Sequence, residues 1–362
     1  MQHVEDFDSE GSQEQQYYAA YEDWSVHRAM LSDKPRMDFY RSILSDPDVV
    51  RGKVVADVGS GTGVLSVWAA LAGAAHVVSL EASTMARAQS LVFEENAVVD
   101  RVSVIEMTVE ALVVRGVDDF IERYSFVREA GGVALLVSEW MGFYLFHEGM
   151  LPSVLLARDF FNQVNNTLNH GITLKMIPSS AVIKAAPVSL RPYFEQVIQP
   201  FWNSVAGIRM GSVAHLAYEQ AIQAASPMID VIPPGCLLHE GEEVWSSDLS
   251  TLSASDIQCV NQKVRFEFMN STVFKAKLKE DGVNVVDGFI LWFEVGSESK
   301  CLSTSPAHPP THWKQSVMLL PYAYRHERVV AFDTADDVFE VTFTFKTRDD
   351  NPRCYILAFE LN

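Results

Sequence analysis

Cysteine is scarce in this sequence: four occur in 362 residues, and no two of them form a C-x-x-C pair. Small secreted domains held by disulfides and structural zinc modules both need cysteines at short, regular spacings. The wide spacing argues against both classes of protein. We therefore expect reduced thiols, no metal site, and a protein of the nucleus or the cytoplasm.

Long apolar runs are also missing. The longest, VLSVWAALAGAAHVVSL from Val64 to Leu80, is interrupted by Gly73 and His76, so a helix followed by a strand explains it better than a membrane span. The opening MQHVEDFDSEGSQEQQ has no basic start followed by an apolar core, and we expect no secretory signal. Residues 1–16 are instead polar and acidic, which predicts a disordered tail. We expect no membrane partner.

Positive charge is in short supply. The chain has 28 Lys and Arg residues against 47 Asp and Glu residues, a formal net charge of −19. Nucleic acids are densely negative, so we do not expect them as direct ligands, and the charge favours cationic partners. Solubility alone is the alternative explanation of an acidic surface.

The patterns that are present change once along the chain. Between Lys53 and about Phe161, short apolar runs alternate with helical patterns, which is typical of βαβ units and a parallel sheet. After about Gly171, period-two alternation predicts an antiparallel sheet or barrel. The predicted strands there include TVFKAKLKEDG, GFILWFEVG, VFEVTFTFKTRD and CYILAFEL. A helical stretch from Leu190 to about Ala225 interrupts this second part, and its large apolar residues need a partner surface.

The segment VADVGSGTGVL predicts a ligand-binding turn. A strand ends at Asp57, the glycines Gly59 and Gly61 follow, and the next strand ends at Glu81. Glycines let a ligand approach the backbone, and a carboxylate at the second strand can hold ribose hydroxyls. NAD is one candidate, but the dinucleotide fingerprint spaces its third glycine differently. Asp57 beside the turn suits a ligand with cationic character, such as S-adenosylmethionine.

The segment SEWMGFYLFHEGML places two carboxylates, Glu139 and Glu148, in an otherwise apolar stretch. A buried carboxylate needs a positive partner or takes up a proton. A guanidinium is planar and permanently charged, and its fork of N–H donors matches carboxylate oxygens. Two structural alternatives remain: a core arginine, or, for Glu148, an acid at the start of a predicted helix EGMLPSVLLARDFF.

Three segments, VADVGSGTG, SEWMGFYLFHEGML and PTHWKQ (Pro310 to Gln315), together resemble the type I protein arginine methyltransferases. The likeness extends from Tyr17 to the C-terminus. It implies a Rossmann-like class I methyltransferase domain with N-terminal helices (17–171), then an antiparallel β-barrel domain (172–362) with a helical dimerisation arm at about 194–226. It also implies methyl transfer from S-adenosylmethionine to arginine in proteins such as histones, giving S-adenosylhomocysteine and monomethyl and asymmetric dimethyl arginine. The implied partners are basic protein substrates and a second copy of the chain.

The resemblance also implies roles for individual residues. The expected catalytic residues are Glu139 and Glu148, which bind the guanidinium, and His312, which relays a proton or orients a carboxylate. Ten residues are expected at the cofactor: Tyr21, His27, Met30, Arg36, Asp57, Gly59, Gly61, Glu81, Val109 and Glu110. Four are expected at the substrate: Tyr17, Met141, Met150 and Trp313. The pair of histidines in HPPTH lacks a third ligand nearby, which argues against a metal there.

Two departures from the family pattern affect the paired-glutamate segment. Phe143 stands where the family has Tyr, and Gly149 stands where Glu-Ser-Met-Leu has Ser, so substrate choice is the property they put in question. Two rival functions remain: a small-molecule methyltransferase with the same first domain, and a binding scaffold without turnover. A scaffold is expected to have lost some of the residues that carry charge in the proposed chemistry, and this chain keeps them.

Overall fold

The computed structural model describes residues 21–224, 227–281, 284–321, 331–332 and 338–361. The predicted tail (1–16), the predicted substrate contact Tyr17 and the last two residues of the predicted arm (225–226) lie outside these ranges.

The first half of the chain forms a five-stranded sheet in the order β3-β2-β1-β4-β5. Every neighbouring pair in it is parallel. Its strands are β1 (Val54–Val58), β2 (His76–Glu81), β3 (Val102–Glu106), β4 (Leu135–Val137) and β5 (Lys175–Ile177). All five residues of β1 are buried, as expected when helices cover both faces of a parallel sheet. The predicted Rossmann-like fold is confirmed.

Nine helices precede or accompany this sheet in the described residues. They are α1 (Trp24–Ser32), α2 (Lys34–Leu44), α3 (Pro47–Val50), α4 (Val64–Leu71), α5 (Met85–Glu95), α6 (Val109–Arg115), α7 (Val117–Arg123), α8 (Ser125–Glu129) and α9 (Leu151–Leu168). Asp33 separates α1 from α2 and caps α2 by accepting a hydrogen bond from the Arg36 backbone N–H at 3.1 Å. That cap determines where Arg36 enters the structure. None of the described helices is both long and apolar enough to cross a membrane.

The second half of the chain forms antiparallel sheets. The larger follows the order β7-β13-β11-β6-β8 with β12 beside β11, and a three-stranded sheet follows the order β16-β15-β9. The strands are β6 (Ser180–Val188), β7 (Met228–Asp230), β8 (Glu242–Asp248), β9 (Cys259–Glu267), β10 (Asn284–Val285), β11 (Gly288–Ser297), β12 (Lys300–Ser303), β13 (Gln315–Leu319), β14 (Ala331–Phe332), β15 (Val338–Thr347) and β16 (Tyr355–Leu361). Three of the four strands predicted from alternation are present.

The fourth prediction, a strand at TVFKAKLKEDG, is wrong. The segment is helix α13 (Thr272–Asp281), and its start is capped from outside. The carboxylate of Glu240 accepts hydrogen bonds from the backbone N–H groups of Thr272 and Val273, at 2.6 and 3.0 Å. Phe274 and Leu278, one helical turn apart, pack into the same cluster. Alternating Lys and apolar residues fit both periods in so short a segment, and the cap selects the helix.

The helical insert is present but broken into pieces. It consists of α10 (Arg191–Tyr193), a π-helical turn (Phe194–Ile198), α11 (Gln199–Asn203) and α12 (Ala214–Ala224). Three of its apolar side chains are largely exposed: Phe201 at 62%, Ile208 at 65% and Leu216 at 68%. Large apolar side chains that remain in water do not stabilise an isolated domain. Their exposure is typical of a surface that binds another protein chain.

The two halves of the chain are joined by buried polar contacts. Arg158 of α9 donates to the backbone carbonyls of Leu249 and Leu252, each at 2.7 Å. The Trp313 indole N–H donates to the Met141 carbonyl at 2.7 Å. The Trp313 contact holds the loop before β13 against the paired-glutamate segment.

Candidate active site

A cleft opens at the carboxyl ends of the parallel strands, where open α/β sheets bind ligands. It encloses about 1080 Å³, part of it open to solvent. That space suits a nucleoside-sized ligand together with a side chain. The residues predicted for the site that line it are Tyr21, His27, Met30, Arg36, Gly59, Gly61, Glu81, Val109, Glu110, Glu139, Met141, Glu148 and Met150.

The glycine turn forms one wall of the cleft. Gly59 and Gly61 have φ angles of +69° and +55°, which side chains other than glycine rarely adopt. A Cβ on Gly59 would collide with the methyl group of Met150. Glu81 braces the turn from the next strand, because its Oε2 accepts from the Gly61 N–H at 2.7 Å. The predicted pairing of this turn with an acid at the end of β2 is therefore present in the geometry.

Asp57 lies directly behind the turn and is completely buried. Its Oδ2 accepts from the Ser66 hydroxyl at 2.7 Å, while Oδ1 has no hydrogen-bond partner among the described residues. Burial raises the pKa of this carboxyl to about 7. An acceptor without a partner in a buried place is costly, and a cationic or N–H-bearing ligand beside the turn would relieve that cost.

The two glutamates face the cleft from opposite ends of one tight loop. Glu139 follows β4 and forms a buried ion pair with Arg36, whose Nε and Nη2 both reach Oε2, at 2.9 and 2.7 Å. Glu148 accepts a hydrogen bond from the Tyr21 hydroxyl. The site thus contains one guanidinium held by one of its carboxylates, and this guanidinium belongs to the protein itself.

Glu148 is not part of a helix, contrary to the predicted segment EGMLPSVLLARDFF. Helix α9 begins at Leu151, and Glu148 lies before it with φ at +75°. Burial raises the pKa of its carboxyl to about 7; the Glu139 charge adds to this effect, while Tyr21, His312 and Arg353 oppose it. An acid that merely favours a helix dipole would ionise more readily, not less. The geometry therefore weakens the helix-start alternative.

His312 and Trp313 do not occur among the described residues that line the cleft. His312 Nδ1 lies 2.6 Å from Asp33 Oδ2, and its backbone N–H donates to the same oxygen at 2.8 Å. Burial opposes ionisation of Asp33, but the hydrogen bonds from His312 and Arg36 outweigh it and lower the pKa of that carboxyl. In this structure the His312 side chain contacts the Asp33 carboxylate, and the Trp313 indole N–H donates a hydrogen bond to the Met141 carbonyl.

Asp33, Ser153 and Arg353 are among the residues at or beside the site that escaped prediction. Asp33 had a local signal, since an Asp ahead of Lys-Pro-Arg is a typical helix cap. Ser153 donates to Glu110 Oε1 at 2.7 Å. Arg353 lines the cleft and donates to the Glu148 carbonyl at 3.3 Å, and no sequence pattern connects positions so far apart. In the described ranges, no group of three or more His, Cys, Asp or Glu residues is placed to hold a metal ion.

Comparison with known proteins identifies the class. The sequence model of the arginine methyltransferase oligomerization subdomain matches residues 179–361. A probable protein arginine N-methyltransferase 6.1 of Oryza sativa subsp. indica is 31% identical over 367 residues, covering 93% of this chain and 85% of the relative. The chain belongs to the protein arginine N-methyltransferase family, which confirms, at the level of that family, the resemblance found in the sequence.

Two further similarities agree with this assignment. A probable protein arginine N-methyltransferase 3 of Arabidopsis thaliana is 32% identical over 314 residues, covering 83% of this chain and 47% of the relative, so the chain spans about half of that protein's length. The crystal structure of PRMT6-SAH aligns with a TM-score of 0.89 at 41% identity, covering 94% of this chain and 100% of the solved one.

Proposed function

We propose that this protein transfers methyl groups from S-adenosylmethionine to the guanidino nitrogens of arginine residues in proteins. One observation supports this above the others. Glu139 and Glu148 line the same cleft as the glycine turn and Glu81, so a cofactor and a guanidinium would lie side by side. A small-molecule methyltransferase has no need of two carboxylates at this place.

The residues of the cleft fit the cofactor. S-adenosylmethionine supplies an electrophilic methyl group on a positively charged sulfur, and a related solved protein is described as PRMT6-SAH. The positive-φ glycines leave room along the backbone, Glu81 stands where a ribose is held, and Asp57 Oδ1 has acceptor capacity to offer.

The protein's contribution to the reaction would be positioning and charge. A carboxylate on each side fixes the plane of a guanidinium and offsets its charge, so that a second cation can approach. The Arg36–Glu139 pair illustrates the first of these contacts with a guanidinium of the chain itself. Asp33, by capping α2, holds Arg36 in place. His312 would act indirectly, as the residue that orients Asp33.

The finer features of the proposal follow the family. We propose monomethyl and asymmetric dimethyl arginine as products, basic proteins such as histones as substrates, and the nucleus or cytoplasm as the place of action. A homodimer through the helical arm agrees with the oligomerization subdomain that the chain matches. The net charge of −19 agrees with basic substrates and disfavours direct contact with nucleic acid.

Mass spectrometry tests the activity. The protein is incubated with labelled S-adenosylmethionine and an arginine peptide, or the same peptide with lysine replacing arginine. We expect label only on the arginine peptide, and a roughly hundred- to thousandfold loss of turnover in Glu139→Gln and in Glu148→Gln, with cofactor affinity nearly unchanged. Glu340→Gln is the matched control, because it removes a half-buried carboxylate of β15 that pairs with Lys263 and does not line the cleft.

Three outcomes would contradict the proposal. Absence of label on every peptide, with heat of binding from the cofactor, would favour a scaffold. Label on a small acceptor alone would favour the small-molecule enzyme. Heat of binding on titration with NAD, and none with S-adenosylmethionine, would contradict the cofactor assignment.

A further inference from the structure

The loop between the last two strands reaches the paired glutamates. It comprises residues 348–354, between β15 and β16, and its Arg353 lines the cleft together with Glu139 and Glu148. Arg353 Nη1 donates to the backbone carbonyl of Glu148 at 3.3 Å. The second domain therefore contributes a cation directly to the segment that is proposed to hold the substrate guanidinium.

Gly149 permits this approach. Its φ is +57°, and a Cβ built on it would lie 2.6 Å from the Arg353 Cα and 3.2 Å from the Pro352 carbonyl oxygen. Any side chain at this position would push the loop of residues 348–354 away from the paired-glutamate segment. The family pattern has Ser here, so the close contact accompanies a feature that distinguishes this chain.

The loop is built to hold Arg353 in a fixed place. Arg348 forms an ion pair with Asp350, with Nη2 2.6 Å from Oδ2. The Asn351 side chain accepts from the Arg353 N–H at 3.1 Å. Directly after the loop, the Tyr355 ring stacks on Phe146, with centroids 5.4 Å apart. The second domain thus contacts the paired-glutamate segment at two adjacent points, Phe146 and Glu148.

We propose that Arg353 is a positioning residue for the acceptor site, which holds Glu148 in its left-handed conformation and so sets how its carboxylate meets a guanidinium. The inference rests on the proposed function. A residue other than glycine at positive φ persists only where its surroundings fix it, and Tyr21 and Arg353 contact Glu148 at its two ends. The charge of Arg353 also favours the ionised carboxylate, alongside His312 and against Glu139.

Kinetics of Arg353→Met and Arg353→Lys test this role. In Arg353→Met we expect the KM for an arginine peptide to rise about tenfold, the worth of one hydrogen bond from a charged group. Cofactor affinity stays unchanged, and the midpoint of kcat/KM against pH moves to higher pH. Arg353→Lys keeps the charge and is expected to restore the midpoint while recovering only part of KM. Gly149→Ser, which displaces the loop with Arg353 intact, is expected to raise KM in the same direction.

Lys346→Met removes an exposed cation from β15 and is the matched control; it is expected to match the wild type. Thermal melts of every variant separate loss of fold from loss of positioning. Wild-type KM and midpoint in a folded Arg353→Met protein would show that Arg353 only packs the loop. If the wild type itself transfers no methyl group, the proposed function fails first. Calorimetry then tests the role of Arg353 by measuring the affinity of each protein for the arginine peptide. Equal affinities in the wild type and Arg353→Met would contradict the positioning role.

Discussion

Glu139 and Glu148 come from one short segment, yet their surroundings give them different properties. Glu139 is neutralised by Arg36 within the protein. Glu148 meets a tyrosine hydroxyl, and burial raises its pKa to about 7. One carboxylate is therefore already paired with an arginine before substrate arrives, and the other changes its charge near neutral pH.

This difference predicts a pH dependence. Below its pKa of about 7, the carboxyl of Glu148 is protonated and neutral, and a neutral acid does not offset a guanidinium. At saturating cofactor we expect kcat/KM for an arginine peptide to rise as pH increases through about 7, with roughly a tenfold loss for each pH unit below.

Glu148→Gln is the control, because it has no carboxyl to ionise at this position. Its residual activity is expected to lack the rise near pH 7. If kcat/KM of that variant still rises near pH 7, another group is responsible for the pH dependence. Asp57 is the first candidate, because burial also raises its pKa to about 7.

At the scale of elements, the conformation of capped helices and of turns with positive φ depends on contacts with residues far away in the sequence. The helix α13 depends on Glu240, whose carboxylate is 32 residues away from Thr272. The paired-glutamate loop depends on Tyr21 and on the loop after β15. Local sequence does not record such partners.

The helical arm exposes large aromatic and aliphatic side chains to solvent. Phe201 packs edge-on against Trp202, with ring centroids 5.2 Å apart, and remains 62% exposed. Burying such a ring against a second copy contributes about 2 kcal/mol. We expect a dimer at micromolar concentration by sedimentation, and a shift toward monomer in Phe201→Ser and in Trp202→Ala.

Val114→Ser is the control for the arm, since Val114 of α6 is also exposed, at 87%, but lies outside the insert. A wild-type protein that sediments as a monomer refutes the arm as a dimer contact. Equal dissociation in all three variants would mean that exposure alone, and not the arm, controls association.

At the scale of the whole molecule, charge is the dominant property. A formal net charge of −19 attracts cationic substrates over distances that salt shortens to about 10 Å at 0.1 M. We expect kcat/KM on a lysine- and arginine-rich peptide to fall at least several-fold between low and high ionic strength. A peptide with one arginine and neutral flanks is expected to change little. Equal salt dependence of the two peptides would reduce the charge to a solubility feature.

The sequence by itself determined the order of the parallel and antiparallel parts, the glycine turn and the two glutamates. These features depend on local causes. The period of the apolar residues distinguishes helices from strands, glycine permits the backbone angles at Gly59 and Gly61, and Glu139 and Glu148 are charged residues within an apolar stretch. The family resemblance added further predicted residues that line the cleft: Tyr21, His27, Met30, Arg36, Val109, Glu110, Met141 and Met150.

Only the tertiary structure decided which groups touch. It paired Arg36 with Glu139 and His312 with Asp33, and it brought Arg353 to Glu148 across 205 positions of sequence. It also turned a segment of alternating residues into helix α13. The physical reason is the same in each case: burial and charge depend on neighbours that folding assembles from distant parts of the chain, so local patterns do not specify them.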